Sequence, residues 1–228
     1  MSNGYTRQEL LHKVESASKD IVTFYRQDFI NYRGRTTDTN EYYTEIIAEW
    51  CCENINILHT IPMITRTSSY KVSSHDGIPK KTASNREEER IAMAMFRQGE
   101  LPLVGRIMDY QTPLKDRQSD RAGKIDLLAY DGNTLRILEL KEPESEETML
   151  RCVLEGYTYL CTANTKKLVS DFCLPSDTEV LASPFVFAGK AQQREMQEPR
   201  PQLVRLMHLL NSKAYYITKV NEKYFVEN

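Results

Sequence analysis

The sequence predicts an α/β chain: a mixed central β-sheet flanked by helices, with an N-terminal helical extension. Three observations carry this. Residues 6–57 repeat apolar side chains at helical intervals and show no strand-like alternation. The dipeptide Asp131-Gly132 joins two apolar runs, KIDLLAY and TLRILELK, which is a hairpin signal. Beyond residue 146 helical and strand-like patterns alternate, an order that builds a sheet with helices on its faces.

The first helix is expected over 6–31, where Leu10, Leu11, Val14, Ile21, Phe24, Tyr25 and Phe29 recur, with Thr6 and Glu9 spaced as a capping box. A turn-rich link, YRGRTTDTN, leads to a second helix over 39–57 striped by Tyr43, Ile46, Ile47 and Trp50. Residues 60–84 are polar and without period, so they read as a loop or weak hairpin. The seam falls there, dividing an extension over 1–84 from a core over 85–228. Asn85 can cap a helix running to Gln98 and closed by Gly99, its apolar face made of Ile91, Ala92, Met95 and Phe96. Strands follow over 101–114, 124–130 and 134–141. A helix over 146–161, a short one over 166–172, a strand over 179–189, a helix over 201–210 and a closing hairpin over 214–228 complete the chain.

Composition narrows the function classes. Lys and Arg total 30 against 32 acidic residues, a formal net charge of -2, so no global basic field draws a polyanion and any nucleic-acid contact is local. The basic residues Lys115, Arg117, Arg121 and Lys124 interleave with Asp116 and Asp120 and read as a solvated loop. Five cysteines without a CxxC pair, and only four histidines, give no zinc-type spacing. Cys51 and Cys52, beside Trp50, read as buried small apolar side chains. Reduced thiols, the absence of a signal-peptide pattern and the absence of a long apolar run predict a cytoplasmic protein that does not enter a membrane.

Charges sit in unexpected places in GKIDLLAYDGNTLRILELKEPE, residues 123–144. Asp126 interrupts one apolar run, and Glu139 and Lys141 end the next. An unpaired buried carboxylate costs several kcal/mol, so a strand rarely contains one without a reason. Side chains alternate across a strand, which sets Glu139 and Lys141 on one face, and a tight hairpin brings Asp126 beside Glu139. Two carboxylates at strand ends make a hard-oxygen site suited to Mg2+ or Mn2+, with a lysine beside it for a phosphoryl group or a nucleophilic water.

Asp126, twelve intervening residues, then Glu139-x-Lys141 across a hairpin resembles the signature of the PD-(D/E)xK nuclease superfamily. The resemblance implies a restriction-endonuclease-like core over 85–228 and a metal-dependent nuclease acting on DNA, and extends to bacterial members of that superfamily. It implies catalytic roles for Asp126, Glu139 and Lys141. Glu88, Asp126, Glu139 and the Leu140 carbonyl would ligate Mg2+ or Mn2+, with Glu89 the alternative to Glu88. Glu155 and Tyr159 are spaced like the Gln-x-x-x-Tyr element of RecB-type nucleases and are the expected substrate contacts; Gly123 also has a parallel there. Ile125 stands where the motif's name puts Pro, and Glu155 where Gln is usual. The second reading is a nuclease-like module that binds nucleic acid or a protein partner without cutting it. In either case the N-terminal helices offer a face for forming a homodimer or recruiting a partner.

Overall fold

The computed structural model describes residues 4–78, 87–116 and 123–228. The expected cap Asn85, the boundary at 84/85, and Arg117, Asp120 and Arg121 of the basic loop lie outside the described residues. Seven strands form one sheet in sequence order: β1 (Glu100–Leu101), β2 (Gly105–Pro113), β3 (Lys124–Tyr130), β4 (Thr134–Leu140), β5 (Glu179–Phe187), β6 (Tyr215–Val220) and β7 (Lys223–Glu227). The first four run as an antiparallel meander, β4, β5 and β6 are parallel, and β7 returns antiparallel. The expected mixed sheet flanked by helices is present.

Two differences in the strands have local causes. The single strand expected over 101–114 is split into β1 and β2 by a tight turn that places Leu103 (φ 65°) and Gly105 (φ 83°) in left-handed conformations. Pro184 lies in a central strand, which normally rejects proline; pairing with β6 begins only at Phe185, so Pro184 is not asked for a ladder N–H.

The helices divide between the two faces. Helix α4 (Glu87–Gln98) packs Ile91, Ala92, Met93 and Met95 onto Leu101, Ile107, Leu127, Leu138, Phe185 and Ile217. Its last residue clips the sheet edge: the Gln98 side-chain amide donates to the Tyr224 carbonyl and accepts from its N–H, both at 2.8 Å. An edge strand is thereby closed to further pairing. The opposite face carries α5 (Met149–Thr162) and α6 (Thr165–Asp171) in the first parallel crossover. The second holds α7 (Ala191–Gln197), a helix the sequence pattern did not reveal, and α8 (Pro201–Leu209).

The N-terminal region joins that same face. Its first expected helix is α1 (Arg7–Ala17), capped by Thr6 and Glu9 as the sequence predicts, followed by short 3-10 turns at Ser18–Asp20, Phe24–Arg26 and Asp28–Asn31. Polar side chains there bond locally, Ser18 Oγ to the Glu15 carbonyl and Thr23 Oγ1 to Asp20, and compete with helix continuation. The second is α2 (Tyr43–Glu53), separated from α3 (Ile55–Leu58) by Asn54, whose side chain donates to the Trp50 carbonyl. Leu10, Val14, Phe24, Ile46, Ile47 and Trp50 share one continuous apolar core with Ile137, Leu150, Leu154 and Leu206. Residues 60–78 form an irregular strap: Arg66 donates to the Lys115 and Ser69 carbonyls, and Asp116 accepts from Thr67 and Ser68. All five cysteines are free, with Cys51 and Cys52 buried. Among the described residues no helix is long and apolar enough to cross a membrane.

Substituting Gln98→Ala removes both bonds to Tyr224 while leaving the apolar face of α4 intact. Stability in urea denaturation is expected to fall by about 1–2 kcal/mol; an unchanged midpoint would mean that the clip contributes nothing.

Candidate active site

The β3–β4 register pairs Leu127 with Leu138 and Leu128 with Ile137. One step further along that register Asp126 stands across from Glu139. The backbone ladder gives way here to a side chain: the Leu140 N–H donates to Asp126 Oδ2 at 3.1 Å. A strand residue turns its N–H and carbonyl to the same edge, so the Leu140 carbonyl also faces the β3 side. Asp126 Oδ1 accepts from Gln111 Nε2 at 3.0 Å, and Gln111 on β2 holds a left-handed φ of 48°. A non-glycine residue in that region marks a position held by its surroundings.

Strand alternation sends Glu139 and Lys141 to the α5 face, as the sequence predicts. They are only 2% and 6% exposed, so their charges must be met inside the protein. Lys141 Nζ lies 2.7 Å from Glu139 Oε1, 2.8 Å from Glu147 Oε2 and 3.2 Å from Glu155 Oε2. Burial opposes its charge, but Glu139 and Glu155 prevail and hold its pKa well above the ordinary lysine range. Burial, then the neighbouring Glu155 carboxylate, pushes Glu139 well above the carboxylate range. Asp126 is pushed up to about 7, chiefly by burial, with Lys141 opposing and Glu88 and Glu155 adding to the rise. Glu155 goes the other way: burial would raise it, but Lys141 and Arg151 lower it.

Helix α5 supplies the second wall. Thr148 caps it by accepting from the Arg151 N–H, and also donates to the Ile30 carbonyl, tying the helix start to the N-terminal region. Glu155 and Tyr159, one turn apart, face the sheet: the Tyr159 hydroxyl donates to Glu155 Oε1 at 2.9 Å. Gly123 explains its own presence, because a Cβ there would fall 2.3 Å from the Tyr159 hydroxyl oxygen. Both expected substrate contacts are thus largely buried within the cluster. Glu88, in the first turn of α4, is half-buried. Burial raises its pKa, while Lys141 and the Glu142 N–H oppose the rise, so it faces the same charges.

Four participants escaped sequence reasoning. Glu147 reaches Lys141 from the β4–α5 loop, and Arg151 meets Glu147 at 3.8 Å and Glu155 at 3.4 Å, each at i,i+4 spacing. That spacing on a predicted helix was the available signal. Gln111 gave none, and Tyr25, whose ring packs edge-on against Tyr159 with centroids 6.1 Å apart, read as one more core position.

Five carboxyl groups, those of Glu88, Asp126, Glu139, Glu147 and Glu155, therefore surround the cations of Lys141 and Arg151. Glu139 Oε2 is buried and receives no hydrogen bond. Among the described residues no three Asp, Glu, His or Cys side chains gather at metal-holding spacing. In chemistry the donor set fits a hard cation: an excess of carboxylates and an orphaned buried oxygen. Comparison with protein-family models, with curated proteins and with solved structures finds no match.

The raised Asp126 pKa makes stability depend on pH. The folded state holds this proton more tightly than the unfolded chain, whose aspartate titrates near 3.8, so the contribution is full below about 4 and is lost as pH rises towards 7. Asp126→Asn has no proton to lose. Without added metal, its stability should exceed wild type by more than about 1 kcal/mol at pH 8, and the difference should vanish near pH 4. Parallel stability–pH curves for the two proteins would contradict the assignment.

Proposed function

We propose that the chain is a metal-dependent phosphodiesterase that hydrolyses DNA. The observation that carries the reading is a buried cluster in which carboxyl groups outnumber cations, with Glu139 Oε2 receiving no hydrogen bond. Nothing in the stability of a β-sheet calls for Asp126, Glu139 and Lys141 at one spot. The resemblance of these three residues to the PD-(D/E)xK signature supports DNA as the substrate and Mg2+ or Mn2+ as the ion.

Asp126, Glu139 and the Leu140 carbonyl would hold the ion, with Glu88 approaching from α4. When bound, it supplies charge stabilisation at the scissile phosphate and acidifies the attacking water. Lys141 places an ammonium on the same strand face as Glu139, where it stabilises negative charge growing on the phosphoryl oxygens. Glu155 anchors that ammonium from α5, and Tyr159 holds Glu155 in turn. Gln111 and the Leu140 N–H fix both oxygens of Asp126, so its carboxylate does not swing out of line.

A second reading has one observation in its favour. Lys141 is already matched by three carboxylates, so the cluster can stand as a closed ionic network in a module that binds nucleic acid or a protein without cutting it.

Divalent-ion titrations with plasmid, linear and single-stranded DNA separate the two. Cleavage should require Mg2+ or Mn2+, and Asp126→Ala or Glu139→Ala should lower it by at least about a hundredfold. Lys141→Met should reduce single-turnover cleavage by about 10²–10³ without weakening calorimetric metal affinity, since a nearby positive charge opposes a divalent cation. Wild-type protein inert on every substrate with both ions would select the binding module. Near-normal turnover of Lys141→Met would leave Lys141 a structural partner of Glu139.

A further inference from the structure

Strand β2 departs from regular geometry at two neighbouring places. Its register with β3 shifts between Ile107 and Asp109, and Gln111 takes a left-handed φ of 48°. Tyr110 pairs with Leu127 and Thr112 with Ile125, which leaves Gln111 opposite Asp126. Irregularities of this kind re-aim a side chain beside a site, and the side chain aimed here is the Gln111 amide, which donates to Asp126 Oδ1 at 3.0 Å. A non-glycine residue keeps such a backbone only where its surroundings impose it. The residues on either side of Gln111 show what does so. Asp109 and Thr112 are both buried, and Thr112 Oγ1 donates to Asp109 Oδ2 at 2.8 Å, a bond that bridges across Gln111. The other oxygen, Asp109 Oδ1, meets His75 Nδ1 at 2.6 Å. A carboxylate only accepts, so Nδ1 carries the proton. The same imidazole stacks on Tyr110 with centroids 4.4 Å apart, and the Gly77 N–H donates to the Tyr110 hydroxyl at 3.2 Å. The strap thus grips both residues that precede Gln111, and Asp109 locks the one that follows.

We propose that His75 and Asp109 are positioning residues of the metal site: they hold the Gln111 backbone in the conformation that presents its amide to Asp126. The inference rests on the reading of Asp126 as a metal ligand, and it adds residues 75–77, from the N-terminal side of the expected seam, to the machinery of that site. The path runs from His75 through Asp109 and Thr112 to Gln111, and from Gln111 to Asp126. The hydrogen bonds of His75 and Asp109 go to one another and to β2, so both act through Gln111. What they supply is order in advance. A ligating carboxylate whose free oxygen is already held does not have to be immobilised when the ion arrives, and hydrogen-bond partners of metal ligands typically contribute ten- to a hundredfold in affinity. A His–Asp pair that served stability alone would have no need to be joined to a strained residue that touches the site.

Calorimetric titration of the full chain with Mn2+ tests this, each variant first shown to be folded by its urea transition. Gln111→Ala should weaken Mn2+ binding by about tenfold or more. His75→Leu keeps the bulk of the ring and deletes the donor, and should weaken binding by a similar factor. His75→Asn keeps an N–H donor near the Nδ1 position and should recover most of the affinity. In the Gln111→Ala background His75→Leu should cause no further loss, because the amide through which it acts is already gone. Thr112→Val removes the bridge across Gln111 at nearly constant volume and carries the same expectations should His75→Leu not fold. Wild-type affinity in folded His75→Leu and Thr112→Val overturns the proposal. So do equal losses in His75→Asn and His75→Leu, or losses that add in the double variant. A wild-type protein that binds no Mn2+ removes the metal reading and this proposal with it, whereas tight wild-type binding that ignores His75 and Thr112 removes the positioning role alone.

Discussion

A buried ammonium organises this molecule. Lys141 follows directly on the last residue of β4, 6% exposed, and the interior tolerates its charge only because Glu139, Glu147 and Glu155 converge on it. Each partner comes from a different part of the chain: the same strand, the loop beyond it and the helix after that. Without the ammonium those carboxyl groups would face one another in a low-dielectric setting with no cation between them. The placement of β4 against α5, and the path of the loop between them, are constrained by this one contact.

The N-terminal region secures the same arrangement from outside. Arg33 donates to the carbonyls of Glu146 and Glu147 at 2.9 and 2.7 Å, holding the loop that aims Glu147 at Lys141. Asn31 accepts from the Thr148 N–H at the start of α5. Further along that helix, Tyr25 packs against Tyr159, and Arg151 lies over the Tyr25 ring. Residues 25–33 thus form a brace along α5. The apolar stripes of α1 and α2 pack into the core that covers this face of the sheet, which gives them a structural role independent of any partner.

Local signals in the sequence were read most directly. Thr6 and Glu9 form the capping box their spacing announces, and Asp131-Gly132 forms the hairpin turn, with Asp131 accepting from the N–H groups of Asn133 and Thr134. The juxtaposition of Asp126, Glu139 and Lys141 was legible because period-2 alternation and a short hairpin determine it. What escaped depends on contacts distant in sequence. Helix α7 is seven residues of mostly polar side chains, AQQREMQ, and has no apolar stripe to find. Glu147 looked like one more charge in the first turn of the helix expected over 146–161, which begins only at Met149. The break after Ala17 is hidden because the apolar residues beyond it keep nearly helical spacing while folding as 3-10 turns.

An excess of carboxyl groups around two cations favours protons on Asp126 and Glu139, and the proposed divalent ion would take their place. The most direct measurement is an anomalous difference map from a crystal of the wild-type protein soaked in Mn2+. The account predicts a peak bounded by Asp126 and Glu139, with Glu139 Oε2 among the nearest oxygens. A map with no peak in the cluster at saturating Mn2+, and Lys141 still bound to its three carboxylates, would contradict it.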